Sequence, residues 1–363
     1  MIMYKRITIK IGSNVLTRPD GSLDVTRMSA LVDQIATLRH QGIEIILVSS
    51  GAMASGRSEL GKTVANQKLD SVEQRQLFSA VGQAKLINRY FDLFRDYGIP
   101  VGQVLTTKES LGTRGHYLNQ RGCMMVMLEN GVLPIVNEND TISVTELMFT
   151  DNDELSGLVA TMMDAEALII LSNIDGIFTG SPSDPKAELI RRVEPDKDLS
   201  DYIQTEKSGF GRGGMKTKSN IASRVAKEGI PVFIANGKAD NILVRLVNNP
   251  EETPCTAFIP AEVNVSSMKR WIANSGGFAK GEVHLNAQLT DTLRDDDKAT
   301  SILPVGVTDI KGHFEHNDIV RIIGADGKVM GVGRVAYSSD EARECIGQRN
   351  KKALIHYDYL FIE

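Results

Sequence analysis

The sequence predicts an α/β protein in which helices cover both faces of a mainly parallel sheet, followed by a smaller β-barrel. Apolar strand patterns alternate with amphipathic helix patterns over the first two-thirds of the chain, which is typical of parallel sheets. In the last third, strand patterns follow one another without long helices. The 363 residues suffice for two domains, which we place at 1–262 and 278–363, with a linker at 263–277.

The first domain alternates strands and helices in chain order. Its strands are predicted at 7–12, 43–51, 99–105, 132–140, 166–173 and 230–236. Its helices are predicted at 25–42, 71–97, 117–131 and 152–165, and another follows the glycine-rich segment 208–220. The helix at 25–42, for example, places Val25, Met28, Val32, Ile35 and Leu38 on one face. Because ligands bind beyond the carboxyl ends of parallel strands, polar residues that follow these strands are candidates for a site.

The last third contains strand patterns at 281–286, 302–310, 318–337 and 353–362. The segment "ADGK" at 325–328 lies between alternating arms and predicts a β-hairpin. A small barrel of about 85 residues accounts for this pattern.

Composition excludes several classes of protein. The net charge of −5 gives no overall sign of nucleic-acid or membrane binding. Cys123, Cys255 and Cys345 lie far apart, which argues against a disulfide framework or a zinc site. The first residues do not resemble a signal peptide, and no apolar run approaches the ~18 residues of a spanning helix. We therefore expect a cytoplasmic protein.

Lys10 lies in a strand that we expect to be covered on both faces. Strand alternation places Ile7, Ile9 and Ile11 on one face and Thr8 and Lys10 on the other. A cation in so poorly solvated a place needs an anionic partner, and phosphate oxygens would serve. The alternative is that Lys10 extends to solvent at the strand end.

Three further strand ends carry polar groups. The turn "SSGAMASG" (49–56) is typical of an anion site between a strand and a helix, although a plain serine-capped turn is the alternative. The segments "NEND" (137–140) and "DND" (151–153) cluster carboxylates in a spacing that excludes an EF-hand. They indicate a site, or else a helix cap at 151–152. Ser172 and Asn173 follow the next strand.

The segment "SGFGRGGMKTKSN" (208–220) places glycines and cations ahead of a helix. Small residues there allow backbone N–H groups to approach an anion, and the helix N-terminus favours negative charge. It is not a Walker A loop, because Met215 stands where that motif requires lysine. A flexible surface loop is the alternative reading.

Six segments together resemble the amino-acid kinase family, and within it the branch that phosphorylates glutamate. They are "KIGSNVLT" (10–17), "VSSGAMASGR" (48–57), "AVGQAKL" (80–86), "PIVNENDTI" (134–142), "DNDELSGLVA" (151–160) and "GRGGMKTK" (211–218). Segments 301–322 and 331–342 resemble the PUA domain, which this branch carries at its C-terminus. The resemblance spans nearly the whole chain and implies a three-layer αβα sandwich followed by a PUA-like barrel.

The resemblance assigns a role to each position that matches the family's motifs. The catalytic residues it implies are Lys10, Lys218 and Asp153, and Asp153 would hold the two lysines. The glutamate-binding residues it implies are Ser50, Gly51, Asp140 and Asn152. The ATP-binding residues it implies are Lys10, Ser172, Asn173, Arg212, Gly213, Gly214, Met215, Lys216, Thr217 and Lys218. The family more often has Thr-Asp where this chain has Ser172 and Asn173.

The resemblance also implies the reaction and its participants. ATP would phosphorylate the γ-carboxylate of L-glutamate to L-glutamyl 5-phosphate, the first step of proline biosynthesis, with Mg²⁺ held mainly by ATP oxygens and water. Proline would inhibit, and glutamyl-phosphate reductase would consume the product. We also expect a homo-oligomer, and no protein residue is assigned to metal.

Two alternatives stay open. A sibling kinase could act on another acid. An RNA-binding function could reside in the barrel, although residues 278–363 carry 11 Lys and Arg against 14 Asp and Glu, which disfavours binding to a phosphate backbone.

Overall fold

The computed structural model describes residues 4–64, 69–111, 114–142, 152–182, 184–195, 197, 199, 202, 214–262, 272, 279–294 and 300–362. The chain divides into two compact units, the first comprising Met1–Leu111 and His116–Val263 and the second Gly112–Gly115 and Asn264–Glu363. The predicted linker at 263–277 lies almost wholly outside the described residues, so the domain limits stay a prediction.

The first unit is built on one large sheet. Its strands in the described residues are β1 (Arg6–Ile11), β2 (Glu44–Ser49), β3 (Val101–Thr106), β4 (Leu133–Glu138), β5 (Ala167–Ser172), β6 (Arg192–Val193), β7 (Val232–Asn236) and β8 (Cys255–Phe258). They lie in the order β3-β4-β2-β1-β5-β7-β8-β6. All neighbours are parallel except β7 and β8, so β8 and β6 run against the rest. The mainly parallel sheet predicted from the sequence is confirmed.

The helices of this unit connect the strands. They are α1 (Ser13–Leu16), α2 (Val25–His40), α3 (Ala52–Val64), α4 (Ser71–Arg95), α5 (Lys108–Leu111), α6 (Arg114–Glu129), α7 (Asn152–Met162), α8 (Met215–Lys227) and α9 (Ile242–Asn248). Asp70 begins α4 with a capping box, in which its side chain accepts from the Glu73 backbone and the Glu73 side chain accepts from the Asp70 backbone.

Helices pack on both faces of the sheet. Alternate residues of β5 enter different cores: Ile169 packs in the cluster that contains residues of α2, α4 and α9, and Ile170 in the cluster that contains residues of α7 and α8. This alternation follows from the two-residue period of a strand. The expected arrangement of two helical layers around one sheet is thus present.

Helices α3 and α4 cross at very short distance. A Cβ atom on Gly82 would lie 1.8 Å from the Ala52 carbonyl oxygen, and one on Gly56 would lie 1.8 Å from the Phe78 carbonyl oxygen. Only glycine permits this backbone approach. The crossing places α4 beside the turn that follows β2.

The second unit contains a separate sheet. Its strands are β9 (Gly281–Leu285), β10 (Val307–Gly312), β11 (Ile319–Ile323), β12 (Val329–Arg334) and β13 (Leu360–Ile362), in the order β10-β9-β11-β12-β13. Two short helices, α10 (Ala287–Leu293) and α11 (Ser339–Cys345), accompany them. The hairpin predicted at 325–328 joins the antiparallel pair β11 and β12 and is confirmed.

Two strand predictions in this unit were too long. Residues 304–306 of the segment predicted at 302–310 form a 3-10 turn that starts at Pro304, and the strand begins at Val307. Proline lacks the N–H that a strand needs and has a fixed φ that suits a turn. Similarly, residues 357–359 of the segment predicted at 353–362 form a 3-10 turn, and the strand covers the last residues alone.

None of the helices in the described residues is both long enough and apolar enough to cross a membrane.

Candidate active site

The carboxyl ends of β1, β2, β4 and β5 meet at one edge of the sheet. In the strand register Lys10 lies between Val48 and Ile170, and Ile11 is level with Ser49. Val136 is level with Val48, so Asn137 follows beside the end of β2. The polar residues that sequence analysis placed after these strands therefore come together.

Lys10 is buried, and its ammonium group has a carboxylate partner. Only 5% of the side chain is exposed, and Nζ lies 2.5 Å from Asp153 Oδ1. Burial on both faces of β1 keeps the side chain from solvent, so the alternative in which Lys10 extends to water is wrong. The expectation that it needs an anionic partner is met by Asp153.

Lys218 lies far from Lys10 in the sequence but contacts the same carboxylate. Its Nζ lies 3.0 Å from Asp153 Oδ2. Gly214 caps α8 with an extended backbone, and Lys218 lies in the first turns of that helix. Asp153 is the second residue of α7, where the helix dipole favours a negative side chain. One carboxylate thus holds two ammonium groups that are distant in sequence.

The charges of this cluster keep Asp153 ionised. Burial raises the pKa of Asp153, but the positive charges and hydrogen bonds of Lys10 and Lys218 outweigh burial, so the pKa lies below its ordinary value. The three groups together carry one positive charge in a poorly solvated place. Such a place is suited to an anion.

Gly12 keeps the space above the first ammonium group open. A Cβ atom there would lie 3.6 Å from Lys10 Nζ and 3.0 Å from the Leu171 carbonyl oxygen. That carbonyl already accepts the Gly12 N–H at 3.1 Å. The glycine therefore holds the turn against β5 without covering Lys10.

Next to the lysines, Asn152 joins the ends of two strands. Its Nδ2 group donates to Ser50 Oγ at 3.0 Å and to Asn137 Oδ1 at 2.9 Å. It also lies 3.4 Å from the Ser49 carbonyl oxygen, which it contacts more weakly. Asn137 in turn donates to Gln83 Oε1 at 2.8 Å. Two of the proposed glutamate ligands, Ser50 and Asn152, are therefore in direct contact.

Ser49 anchors the end of β2. Its hydroxyl group is 2.8 Å from the hydroxyl group of Tyr90 on α4, in a fully buried contact. Burial raises the pKa of Tyr90 more than the hydrogen bond with Ser49 lowers it, so the phenol stays protonated. This contact fixes the backbone just before Ser50.

Gly51 adopts a conformation that favours glycine. Its φ is +108°, and its carbonyl oxygen accepts the Ser55 N–H at the start of α3. The strand–glycine–helix turn predicted at 49–56 is present. Because α3 has 13 residues, its N-terminus adds a favourable field for a negative group at this turn.

Asp140 lies two residues beyond β4 and faces a buried arginine. Arg75 Nε on α4 is 3.9 Å from Asp140 Oδ1, and the two side chains are 9% and 13% exposed. Asp140 is therefore less solvated than a surface carboxylate, and an ammonium group beside it would meet little competition from water.

The remaining predicted ATP ligands are placed as follows. Ser172 is buried at the end of β5, and its hydroxyl lies 3.4 Å from the Oδ1 atom of exposed Asn173. Gly214, Met215, Lys216 and Thr217 form the start of α8, ahead of Lys218. Arg212 and Gly213 lie outside the described residues.

Two residues at this edge, Arg75 and Gln83, were not predicted from the sequence. Both lie on α4, eight residues apart and thus on one helical face. Gln83 is part of the segment "AVGQAKL", which was singled out without a role for its glutamine. In the described residues, no group of three or more His, Cys, Asp or Glu side chains could hold a metal ion.

Two known families match the chain. The amino acid kinase family matches residues 5–236, and the PUA domain matches residues 281–356. Glutamate 5-kinase of Bacteroides thetaiotaomicron is 67% identical over 360 residues, which cover 99% of this chain and 99% of that protein. Glutamate 5-kinase of Chlorobaculum tepidum is 46% identical over 362 residues, with 99% and 98% covered.

Two solved structures share the fold over part of this chain. A structure of isopentenyl phosphate kinase matches with a TM-score of 0.51 at 18% identity, over 70% of this chain and 99% of that chain. UMP kinase from Bacillus anthracis matches with a TM-score of 0.50, also at 18% identity, over 70% and 96%. At this identity the two structures show a common fold alone.

Proposed function

This chain belongs to the amino acid kinase family and is a kinase, and on that premise we propose that it phosphorylates the γ-carboxylate of L-glutamate with ATP. The product would be L-glutamyl 5-phosphate, and the reaction would be the first step of proline biosynthesis. The observation that carries the proposal is the contact of Lys10 and Lys218 with one buried carboxylate.

The reaction needs charge compensation more than proton transfer. A carboxylate at neutral pH is already ionised and can act as the nucleophile without a general base. The enzyme must bring it against a phosphate that repels it and must compensate the charge that spreads over the moving phosphoryl group. Two fixed ammonium groups supply that compensation.

We assign the phosphate end to the lysines. Lys10 and Lys218 would contact the phosphates and the transferring group, and Asp153 would keep both ammonium groups in place. Asp153 suits this role because it is buried and ionised between them. Ser172, Asn173 and the segment 212–218 would bind the rest of the nucleotide.

We assign the amino-acid end to four residues. Asp140 would bind the substrate ammonium group, Ser50 and Asn152 would bind polar groups of glutamate, and Gly51 would offer its backbone N–H. This set discriminates by charge, because an acylated amine carries no positive charge for Asp140 to bind. The close contact of Ser50 and Asn152 supports a shared role.

Mg²⁺ would enter as part of the nucleotide complex. It would be held mainly by ATP oxygens and water, because Mg²⁺ keeps several waters and is usually bound through few protein ligands. When bound, it would neutralise charge on the phosphates. The protein's own part is to position both substrates and to place the lysines.

Proline would inhibit by occupying the glutamate site, since it also carries an ammonium group and a carboxylate. A homo-oligomer and a functional link with glutamyl-phosphate reductase stay predictions.

An acyl phosphate trapped with hydroxylamine tests the proposal. The purified chain with ATP, Mg²⁺ and hydroxylamine should form a hydroxamate from L-glutamate, and far less from L-aspartate or N-acetylglutamate. A preference for either alternative acid, or no hydroxamate from any of them, would contradict the proposed substrate. Omission of ATP is the control for reaction without phosphorylation.

A further inference from the structure

Three side-chain amides form a continuous hydrogen-bonded chain from α4 to the sheet edge where the carboxyl ends of β1, β2, β4 and β5 meet. Asn152 Nδ2 donates to Asn137 Oδ1 at 2.9 Å, and Asn137 Nδ2 donates to Gln83 Oε1 at 2.8 Å. Asn152 lies at the start of α7, Asn137 in β4 and Gln83 within α4. We call this chain the amide relay.

A backbone carbonyl determines the direction of the relay. The Asn152 amide end that faces the strands lies 3.4 Å from the Ser49 carbonyl oxygen, which can only accept. The atom facing it is therefore Nδ2 and not Oδ1. Asn137 must then present Oδ1 to Asn152, and its own Nδ2 must find an acceptor on the other side, which is Gln83 Oε1.

The direction has a consequence for Asn152. Its Nδ2 group is occupied by Ser49, Ser50 and Asn137, whereas its Oδ1 atom accepts no hydrogen bond from any described residue. The side chain is only partly buried. Asn152 thus presents an acceptor, and the relay prevents it from turning over to present a donor.

We propose that Gln83 is a positioning residue for recognition of the substrate's α-amino group. Through Asn137 it holds Asn152 with the carbonyl oxygen available, and that oxygen joins Asp140 in accepting from the ammonium group. This inference rests on the proposed function, in which Asp140 and Asn152 bind glutamate. It gives the glutamine of "AVGQAKL" a role.

The relay also assigns a role to the neighbouring hydroxyl. Ser50 Oγ accepts from Asn152, so its own hydrogen can be donated to a carboxylate of the substrate. Ser50 and Asn152 would then present a donor and an acceptor side by side. An amino acid has the matching pair of groups, and a dicarboxylic acid without an amine does not.

The test compares glutamate with glutarate, which has both carboxylates and no amino group. Gln83→Leu removes the acceptor for Asn137, and Gln83→Glu keeps an acceptor at that point. Steady-state kinetics would give the KM for glutamate, the kcat, and the Ki of glutarate as a competitor. Gln74→Leu and Gln74→Glu are matched controls, because Gln74 lies exposed on the same helix and bonds to the nearby Leu69 carbonyl.

For Gln83→Leu we expect the KM for glutamate to rise about tenfold, the loss that one misplaced hydrogen bond produces. The Ki of glutarate should stay within about twofold of its value in the unchanged protein. The ratio of the glutarate Ki to the glutamate KM should therefore fall about tenfold. Gln83→Glu should keep the ratio at or above that of the unchanged protein. Should Gln83→Leu fail to fold, Gln83→Met also lacks the carbonyl and keeps the unbranched shape.

A purely structural role for Gln83 gives different results. Equal weakening of glutamate and glutarate in Gln83→Leu, or a ratio that falls equally in Gln83→Glu, would overturn the proposal. So would unchanged constants in a folded Gln83→Leu variant. If the unchanged protein does not act on glutamate at all, the proposed function fails, and this outcome is distinct from any change in the ratio.

Discussion

Gly157 of α7 faces Ile221 of α8 so closely that a Cβ atom on residue 157 would lie 2.9 Å from the Ile221 Cγ2 methyl group. The same atom would lie 3.1 Å from Val225 Cγ2. α7 carries Asp153 and α8 carries Lys218, whose charged groups are 3.0 Å apart. The spacing of the two helices therefore determines whether this ion pair can form.

We predict that Gly157→Ala weakens both stability and turnover. The added methyl group must displace Ile221 or the whole of α8, which should lower the free energy of unfolding by about 1–3 kcal/mol. A shift of Lys218 approaching 1 Å should lower kcat by up to about 100-fold. Urea unfolding and steady-state kinetics would measure the two effects.

Gly122→Ala is the matched control. Gly122 lies within α6, and nothing lies within 4 Å of a Cβ atom built on it. The exchange should stabilise the protein by about 0.5–1 kcal/mol through helix propensity and leave kcat unchanged. Equal effects of the two substitutions on the free energy of unfolding and on kcat would show that the close approach of α7 and α8 matters for neither.

The lowered pKa of Asp153 predicts a specific loss of stability in acid. A carboxyl group whose pKa is lower in the folded than in the unfolded state stabilises the fold above its unfolded value of about 3.8, and this contribution disappears as the pH falls through the folded value. Asp153→Asn should therefore lessen the dependence of unfolding free energy on pH below about pH 4, by at most ~1.4 kcal/mol per pH unit.

Urea unfolding between pH 3 and pH 7 would measure this dependence. Asp92→Asn is the control, since Asp92 is exposed on α4 and pairs with Arg95 one helical turn away. An acid dependence in Asp153→Asn that is as steep as in the unchanged protein would contradict the prediction.

Arg75 and Asp140 should be coupled in stability. Their side chains are nearly buried and lie 3.9 Å apart, so removing one leaves the other with less charge compensation. We expect Arg75→Met and Asp140→Asn each to be destabilising. The double variant should be less destabilised than the sum of the single variants, by about 0.5–3 kcal/mol.

A double-mutant cycle of unfolding free energies measures this coupling. The pair of Arg343 and Asp340 provides a comparison, because its charged atoms lie 2.9 Å apart at the protein surface. That surface pair should couple by less than about 1 kcal/mol. Strict additivity for Arg75 and Asp140 would exclude an interaction between them.

Much of the fold follows from local patterns. Alternation in β1 predicts that Lys10 is buried, because one set of residues faces each helical layer. Parallel strands place their carboxyl ends at one edge, so the sequence alone predicts that Ser49, Asn137 and Lys10 come together. Short elements such as α9 and β8 were not predicted, since few residues carry too weak a periodic signal.

Sequence patterns say less about which side chains contact one another within the site. Periodicity identifies the apolar face of α4, but it does not say which polar residue at the margin meets a strand end. The close crossing of α3 and α4 at Gly56 and Gly82 determines that Gln83 reaches Asn137. This contact depends on tertiary packing between residues 54 apart. The roles assigned to the site residues stay predictions.

The most direct test of the account is the turnover of Lys10→Ala, Lys218→Ala and the double variant with saturating glutamate and ATP. Lys227→Ala, at the exposed end of α8, is the control and should leave kcat unchanged. Each single substitution at the shared carboxylate should lower kcat by about 10²–10³-fold in a folded protein. Because the two ammonium groups act as a unit, the double variant should lose at most about tenfold more. Near-normal kcat in either folded single variant would contradict the account.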